Sequence, residues 1–458
     1  MGDKYKKEKT EFLTLIKIPF FHFNNYQFFD IIYLTKTTRK KVIIKRTQDI
    51  KIFSSLNKIY HIKEQISNIS REKNKRIRIK GSTIAKLLFA GMLYKEKSIN
   101  QIMEKTHKRK LYKKMFKSNE TIPKMHGFIE GIKDLKVSEL EKINKNIIRK
   151  AKENKIYRNG TIDNLIVVGI DGTETFGSYK KNWDNCYNKK IKNKRFINGK
   201  EQIVEEEYHE QICVFARIVG KRPGVLLGYE KVTSNGNEGK QEFEPNVGIK
   251  LIQKIKKIYG NGIDVIVGDA IYLRESVIKA VLEEGYQGVF RLKDNNKMLL
   301  ENANGVFKLS KAKEYKSKGK KIKYWSDNFE YYGNKVKVVK YEEYNEKGKK
   351  QEISVACTDV NMKEKTINKI IHARWGIENE GFNELKNQWN MNHCYISNEK
   401  AIDVILQMIM MSYNLWELYI YGHLHDFEKM GITKTGFIDR IKELFFEHKC
   451  KAWNYSSA

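Results

Sequence analysis

The spacing of apolar residues changes character along the chain, and the change divides it. In the first third apolar residues recur at helical intervals. Thr83 to Leu93 has this spacing and stops at a lysine-rich turn, and Ser98-Ile-Asn-Gln101 has the form of a capping box that opens a second helix. From about residue 160 the period becomes that of strands. Residues 163–171, 211–219 and 224–232 are predicted strands, the last two joined by the turn residues Gly220 to Gly224. A helix over Val247–Tyr259 follows, then a short apolar strand ending at Asp269, a helix over 272–284 and a strand over Gly288–Leu292.

Three antiparallel strands followed by alternating helices and strands is the order of a ribonuclease-H-like α/β domain. Lys- and Gly-rich turns between short alternating stretches then mark 300–362 as a β-rich insertion. Helical spacing resumes at about 363, continues through an apolar helix at 400–420, and returns in an amphipathic helix at 434–448. The expected organisation is a basic helical region (1–158), the first part of the core (159–299), the insertion (300–362), the second part of the core (363–425) and a C-terminal helix with its tail (426–458). Within the first region, two helices across a tight turn near 83–116, with Lys108, Arg109 and Lys110, fit a helix-turn-helix that lays a basic face on DNA. They fit an ordinary helical hairpin with a solvated lysine face equally well.

Composition sharpens the choice of partner. Among 458 residues, 88 Lys and Arg stand against 55 Asp and Glu, a formal charge of +33. An excess of this size repels itself unless a polyanion compensates it, so nucleic acid is the expected partner. A membrane is not expected: the most apolar segment, Ala401 to Tyr421, is interrupted by Asp403, Gln407, Asn414 and Glu417. No cleavable signal peptide is expected, because the first ten residues are charged and no uninterrupted apolar core follows. Cys186, Cys213, Cys357, Cys394 and Cys450 are scattered without metal-ligand spacing, which argues against a disulfide framework or structural zinc.

Three acids carry the candidate chemistry. Asn164 to Asp171 is a β-branched and apolar run closed by Asp171 and a glycine, read as a strand feeding a turn. Ile263 to Asp269 ends in the same way. Carboxylates that end adjacent buried strands converge at one edge of a sheet, whereas Asp163 and Asp264 precede their strands and fall at the other end. In Arg374-Trp-Gly-Ile-Glu378, arginine and glutamate four residues apart share a helical face. Trp375, Ile377, Phe382, Leu385 and Trp389 are then free to bury the rest. Singly, each acid reads first as a turn residue, a helix cap or a structural ion-pair partner. Together, two aspartates and a glutamate at one edge suit two Mg²⁺ ions about 3.5 to 4 Å apart, the geometry of in-line phosphoryl transfer.

With these residues in place the chain resembles the bacterial insertion-sequence DDE transposases, in the cut-and-paste group with a β insertion ahead of the catalytic glutamate. The motifs are Ile170-Asp171-Gly-Thr-Glu-Thr175, Val267-Gly-Asp269-Ala-Ile-Tyr272, Phe290-Arg-Leu-Lys293 and Arg374-Trp-Gly-Ile-Glu378-Asn379, and the likeness extends over roughly residues 80 to 420. It implies that Asp171, Asp269 and Glu378 are the catalytic, metal-binding triad for two Mg²⁺ ions, with Mn²⁺ as substitute. It also implies that Lys293, Arg374 and Lys386 contact DNA. The implied partners are the element's terminal inverted repeats and target DNA, bound by a homodimer or larger assembly in the cytoplasm at the nucleoid. The group's signature runs Tyr, two residues, Arg, three residues, Glu, six residues, Lys. Here the Tyr position is Ile371 and the Lys position is Leu385, so Lys386 comes one step late and is expected about 100° off the signature face. A ribonuclease-H-like nuclease without strand transfer and a domesticated DNA-binding protein are the alternative readings.

Overall fold

The computed structural model describes residues 32–34, 42–44, 49–72, 79–109, 116, 120–197, 199–235, 240–241, 244–317, 319–346, 348–424 and 427–447. The chain divides into two compact units, 1–61 with 419–458, and 62–418. In the first, short strands Ile32–Leu34 and Val42–Ile44 pair antiparallel, and helices Asp49–Tyr60 and Lys434–Glu447 are in contact.

The second unit is built on a ten-stranded mixed sheet. Its strands are β1 (Val167–Ser178), β2 (Tyr187–Ile197), β3 (Lys200–Val219), β4 (Leu226–Val232), β5 (Val265–Gly268) and β6 (Gln287–Leu292), then β7 (Lys313–Ser317), β8 (Lys320–Tyr331), β9 (Asn334–Tyr344) and β10 (Lys350–Cys357). The spatial order is β7-β8-β9-β10-β6-β5-β1-β3-β2, with β4 also on β3. Strands β1, β5 and β6 are mutually parallel and, apart from Gln287, apolar or glycine where they meet, as strands covered on both faces tend to be. β3 runs antiparallel beside β1, and β4 runs antiparallel to β3. This mixed α/β arrangement is consistent with a ribonuclease-H-like domain.

The insertion differs from expectation in one respect. Its strands do not form a body of their own but extend the same sheet, since β10 pairs antiparallel with β6 from Val289↔Cys357 to Leu292↔Ser354. An edge strand such as β6 would otherwise leave its backbone groups unpaired. The long ribbon of β2 with the first half of β3 is also absent from the expected elements. Its first strand is rich in Lys and the facing half of its second in Glu, and cross-strand pairs such as Lys194–Glu201 at 3.2 Å and Arg195–Glu206 at 2.9 Å link them.

Helices α1 (Gly81–Leu93), α2 (Ile99–Arg109), α3 (Met125–Lys133) and α4 (Val137–Glu153) belong to the same unit as the sheet, so the expected boundary near 158 is not where the compact units divide. The reason is visible in α1: every residue of it is buried, and it packs on the apolar helix Glu399–Glu417. A helix buried all round has no face to lay on DNA, which leaves the basic-face reading to α2. The side chains of Lys108 and Arg109 at its end, and Lys110, lie outside the described residues.

The Glu399–Glu417 helix also completes the sheet chemically. Asn414 accepts from the Leu226 N–H at 2.7 Å and donates to the Leu226 carbonyl at 2.8 Å, standing in for a missing strand at the start of β4. Glu417, fully buried, accepts from Arg222 and from the Gly224 N–H at 2.9 Å. Arg222→Met takes the guanidinium from a buried carboxylate that keeps its bond from the Gly224 N–H, and should cost about 3–5 kcal/mol of unfolding free energy by urea titration. A change of less than about 1 kcal/mol would show that the pair is replaceable.

Candidate active site

The parallel register of β1 with β5, Val167↔Val265 to Gly169↔Val267, carried two residues further brings Asp171 level with Asp269. The sequence pattern ends β1 at Asp171, and here the structure differs. β1 continues to Ser178, because Thr173, Thr175 and Phe176 are good strand formers and β3 pairs on with the strand, Asp171↔Phe215 through Glu174↔Ile212 and, past a bulge at Thr175 and Phe176, Gly177↔Glu210 and Ser178↔His209. What ends at this level is β5, after Gly268. Asp269 begins the 3₁₀ turn Ala270–Tyr272, and the gap beyond β5 is where the two aspartates meet solvent.

Glu378 is delivered by a helical run that follows the insertion: helix Glu364–Ala373, a π turn over Ile377–Phe382, and helix Asn383–Gln388. Ile377, Phe382, Leu385 and Trp389 are buried as the apolar spacing requires, while Trp375 is 42% exposed with the Arg374 guanidinium over its ring at 5.1 Å. Arg374 itself is buried. Its Nη1 donates to Glu378 at 2.6 Å and to Asp171 at 3.4 Å, bridging the two acids.

The π turn corrects the expectation for Lys386. A π turn closes its hydrogen bond one residue later than an α turn, so it absorbs one extra residue, and position 386 falls where position 385 of an uninterrupted helix would lie. Leu385 is fully buried, and burial pushes the pKa of the Lys386 ammonium below its ordinary value although the Glu174 and Glu210 carboxylates act against this. The extra residue of the π turn offsets the one-residue slip in the signature spacing.

The electrostatics of the two aspartates are opposed. Burial, with the Glu378 and Glu244 carboxylates close by, pushes Asp171 up to about 7 despite the Arg374 guanidinium. Asp269 is also partly buried, but the Ala270 N–H, Arg374 and Lys293 outweigh that and hold it below the usual carboxylate range. Lys293 lies 3.5 Å from Asp269, with half of its side chain exposed. Of the residues expected to contact DNA, Arg374, Lys293 and Lys386 line this region. His372, beside the signature's tyrosine position, turns away to bond Glu343 of β9 at 2.5 Å.

Sequence reasoning missed Glu244, at the start of the helix Glu244–Tyr259, which approaches Asp171 and accepts from the Tyr272 hydroxyl at 2.7 Å. Its position in a first helical turn resembles ordinary dipole compensation, so nothing in the sequence distinguishes it. Arg217 was missed as well. It is 1% exposed and donates to the Gly376 carbonyl at 3.0 Å, to Glu380 at 3.2 Å and to the Tyr413 hydroxyl at 3.3 Å. In the run Arg217-Ile-Val-Gly-Lys-Arg222 it reads as one more surface cation.

Hard carboxylate oxygens suit Mg²⁺ or Mn²⁺, and burial first, with the Glu378 and Glu244 carboxylates beside it, disfavours the ionised form of Asp171 unless a cation compensates it. As the side chains stand, no three His, Cys, Asp or Glu among the described residues converge on one metal position. Arg374 takes the cation's part between Asp171 and Glu378. Asp171, Asp269 and Glu378 therefore fit the donor chemistry, with Arg374 as the group that must give way.

A carboxyl whose folded pKa is raised contributes stability that is complete below its unfolded value and is lost as pH rises through the folded one. For Asp171 that window runs from about 4 to about 7. In chelator, melting temperature should fall across this window, and Asp171→Asn should flatten the fall. An unchanged slope in the variant would show that Asp171 ionises normally.

No curated protein matches the chain. Residues 219–415 match the family model described as a transposase DDE domain. The matched stretch holds Asp269, Lys293, Arg374, Glu378 and Lys386, and Asp171 lies ahead of it on β1. Over this stretch the chain is similar to a transposase DDE domain.

Proposed function

We propose that the protein cuts DNA at the ends of its own element and joins the freed ends to target DNA, using Asp171, Asp269 and Glu378 as its catalytic acids. The observation that carries this reading is the convergence of Asp171 and Glu378 on Arg374, with Asp269 level on the adjacent strand, in a chain similar over residues 219–415 to a transposase DDE domain. In this reading the three acids hold two Mg²⁺ or Mn²⁺ ions, which when bound activate the attacking oxygen and stabilise the leaving one.

The chain's own residues position the reactants. Water attacks the phosphorus at the element's end, and the 3′-oxygen leaves and takes up a proton. That 3′-hydroxyl then attacks a target phosphodiester, whose own 3′-oxygen leaves in turn. Each step makes one P–O bond and breaks one, so no covalent enzyme intermediate is required. Lys293, beside Asp269, and Lys386, two helical turns past Glu378, offer cations to the backbone on either side of the reacting phosphate. Such contacts set register without reading sequence. Half-exposed Trp375 has a free ring face for an unstacked base. The formal charge of +33 supports a polyanionic partner. Two copies holding two DNA ends complete the reading.

With DNA carrying the gene's own flanks and Mg²⁺ or Mn²⁺, the natural chain should cut at a defined end and yield joined products. Glu378→Gln should bring both below detection while binding DNA within about threefold. Cleavage by the variant at the natural rate would remove Glu378 from the triad, and cutting without joined products would make the protein a nuclease. Binding should also weaken roughly 10³–10⁵-fold between 50 and 200 mM salt if six to ten phosphates are contacted. Salt-insensitive affinity would contradict the electrostatic mode of binding.

A further inference from the structure

Beside the three proposed acids lies a fourth, and it is built in rather than merely near. The Glu244 carboxylate rests against Gly172, the residue after Asp171: a Cβ at Gly172 would stand 2.6 Å from Oε1. A side chain at 172 would push the carboxylate aside, so the absence of one lets the carboxylate lie directly against the β1 backbone. On its other side Oε1 accepts from the Tyr272 hydroxyl at 2.7 Å. Tyr272 is fully buried and closes the 3₁₀ turn that begins at Asp269. Its ring packs on Gly248, one turn along Glu244's own helix, where a Cβ would come within 2.7 Å of it. The path from one aspartate to the other thus runs Asp269, Tyr272, Glu244, Gly172, Asp171, through one hydrogen bond and one close contact, with the Tyr272 ring seated on Gly248 beside it.

The same hydroxyl lies in the fields of Glu244, Asp171 and Asp269 together. Burial and these three carboxylates hold its pKa well above the ordinary value, so it remains a donor. β1 and β5 are paired only as far as Gly169 and Val267. Beyond that level no ladder hydrogen bond joins the segments that carry the aspartates, and the Tyr272–Glu244 tie spans the gap.

We infer that Glu244 and Tyr272 are a positioning pair that sets the separation of Asp171 and Asp269, and through it the affinity of the site for a divalent cation. Neither residue need touch the reacting atoms. This rests on the reading that Asp171 and Asp269 bind metal. The essential property of Glu244 is then an acceptor oxygen at a fixed place, which glutamine retains, rather than its charge.

The test is Mn²⁺ binding to the full chain without DNA, by calorimetry, with thermal melting in chelator as a control of folding. Glu244→Ala and Tyr272→Phe should each weaken binding by about 10–100-fold, the range found when the groups that orient metal ligands are removed. Glu244→Gln should stay within about threefold of the natural chain. Natural affinity in Tyr272→Phe, or equal losses in Glu244→Gln and Glu244→Ala, would overturn the inference. Should Glu244→Ala fail to fold, the Tyr272→Phe and Glu244→Gln pair decides alone. Asp171→Asn and Asp269→Asn separate the two levels. If both keep natural Mn²⁺ affinity, the catalytic assignment itself fails. If both lose it while Tyr272→Phe does not, only the positioning role fails.

Discussion

A single buried guanidinium holds the parts of the site that the sheet alone does not. Arg217, on β3, reaches across to the carbonyl of Gly376, the last residue before the π turn, and to Glu380 within it. Its bulk lies where Gly224 and Gly381 have no side chains, and at Gly381 a Cβ would come within 3.1 Å of the Arg217 stem. An unpaired charge so deep would be strongly destabilising. The π turn therefore has to present its carbonyl and Glu380 to Arg217, and this constraint fixes the helical run against β3. Tyr413 joins the same cluster, donating to the Glu380 carbonyl at 3.0 Å. Glu380 is shared further with Arg222 at 3.2 Å, which ties the turn to the β3–β4 connection.

Once the π turn is held, the placement of Glu378 and Lys386 follows. An α-helix uninterrupted from Glu378 would put Leu385 toward β1 and leave Lys386 about 100° away. The extra residue in the π turn shifts this phase by one position, and Leu385 enters the core. π turns occur often at functional sites because they aim side chains in a way a regular helix does not. In this chain Glu378 meets Asp171 through Arg374.

Much of this arrangement is legible in the amino-acid pattern. The apolar runs ending near Asp171 and Asp269 locate the two parallel strands, and the order of elements implies the sheet's central topology. Arg374 and Glu378 are paired by their four-residue spacing alone. Four features are not legible, each for a physical reason. β1 runs past Asp171 because β3 continues to pair with it, and a long-range partner cannot be read from a local pattern. The insertion joins the main sheet because β6 has an open edge, again a tertiary fact. The π turn leaves no signature in propensity, so the one-residue slip looks like a rotation of Lys386. Arg217 and Glu244 are charged residues whose meaning lies entirely in what buries them.

The charge balance at the sheet edge explains why Arg374 is where it is. Asp171 is raised to about 7 by burial and by two neighbouring carboxylates, even with Arg374 beside it. Without that guanidinium the cluster would ionise still less readily. If these acids hold a divalent cation, as proposed, it would draw on the same oxygens that Arg374 bonds, so Arg374 is the group that would have to move. Its guanidinium already lies over the ring of Trp375, which is exposed, so the arginine and the open side of the helix are adjacent.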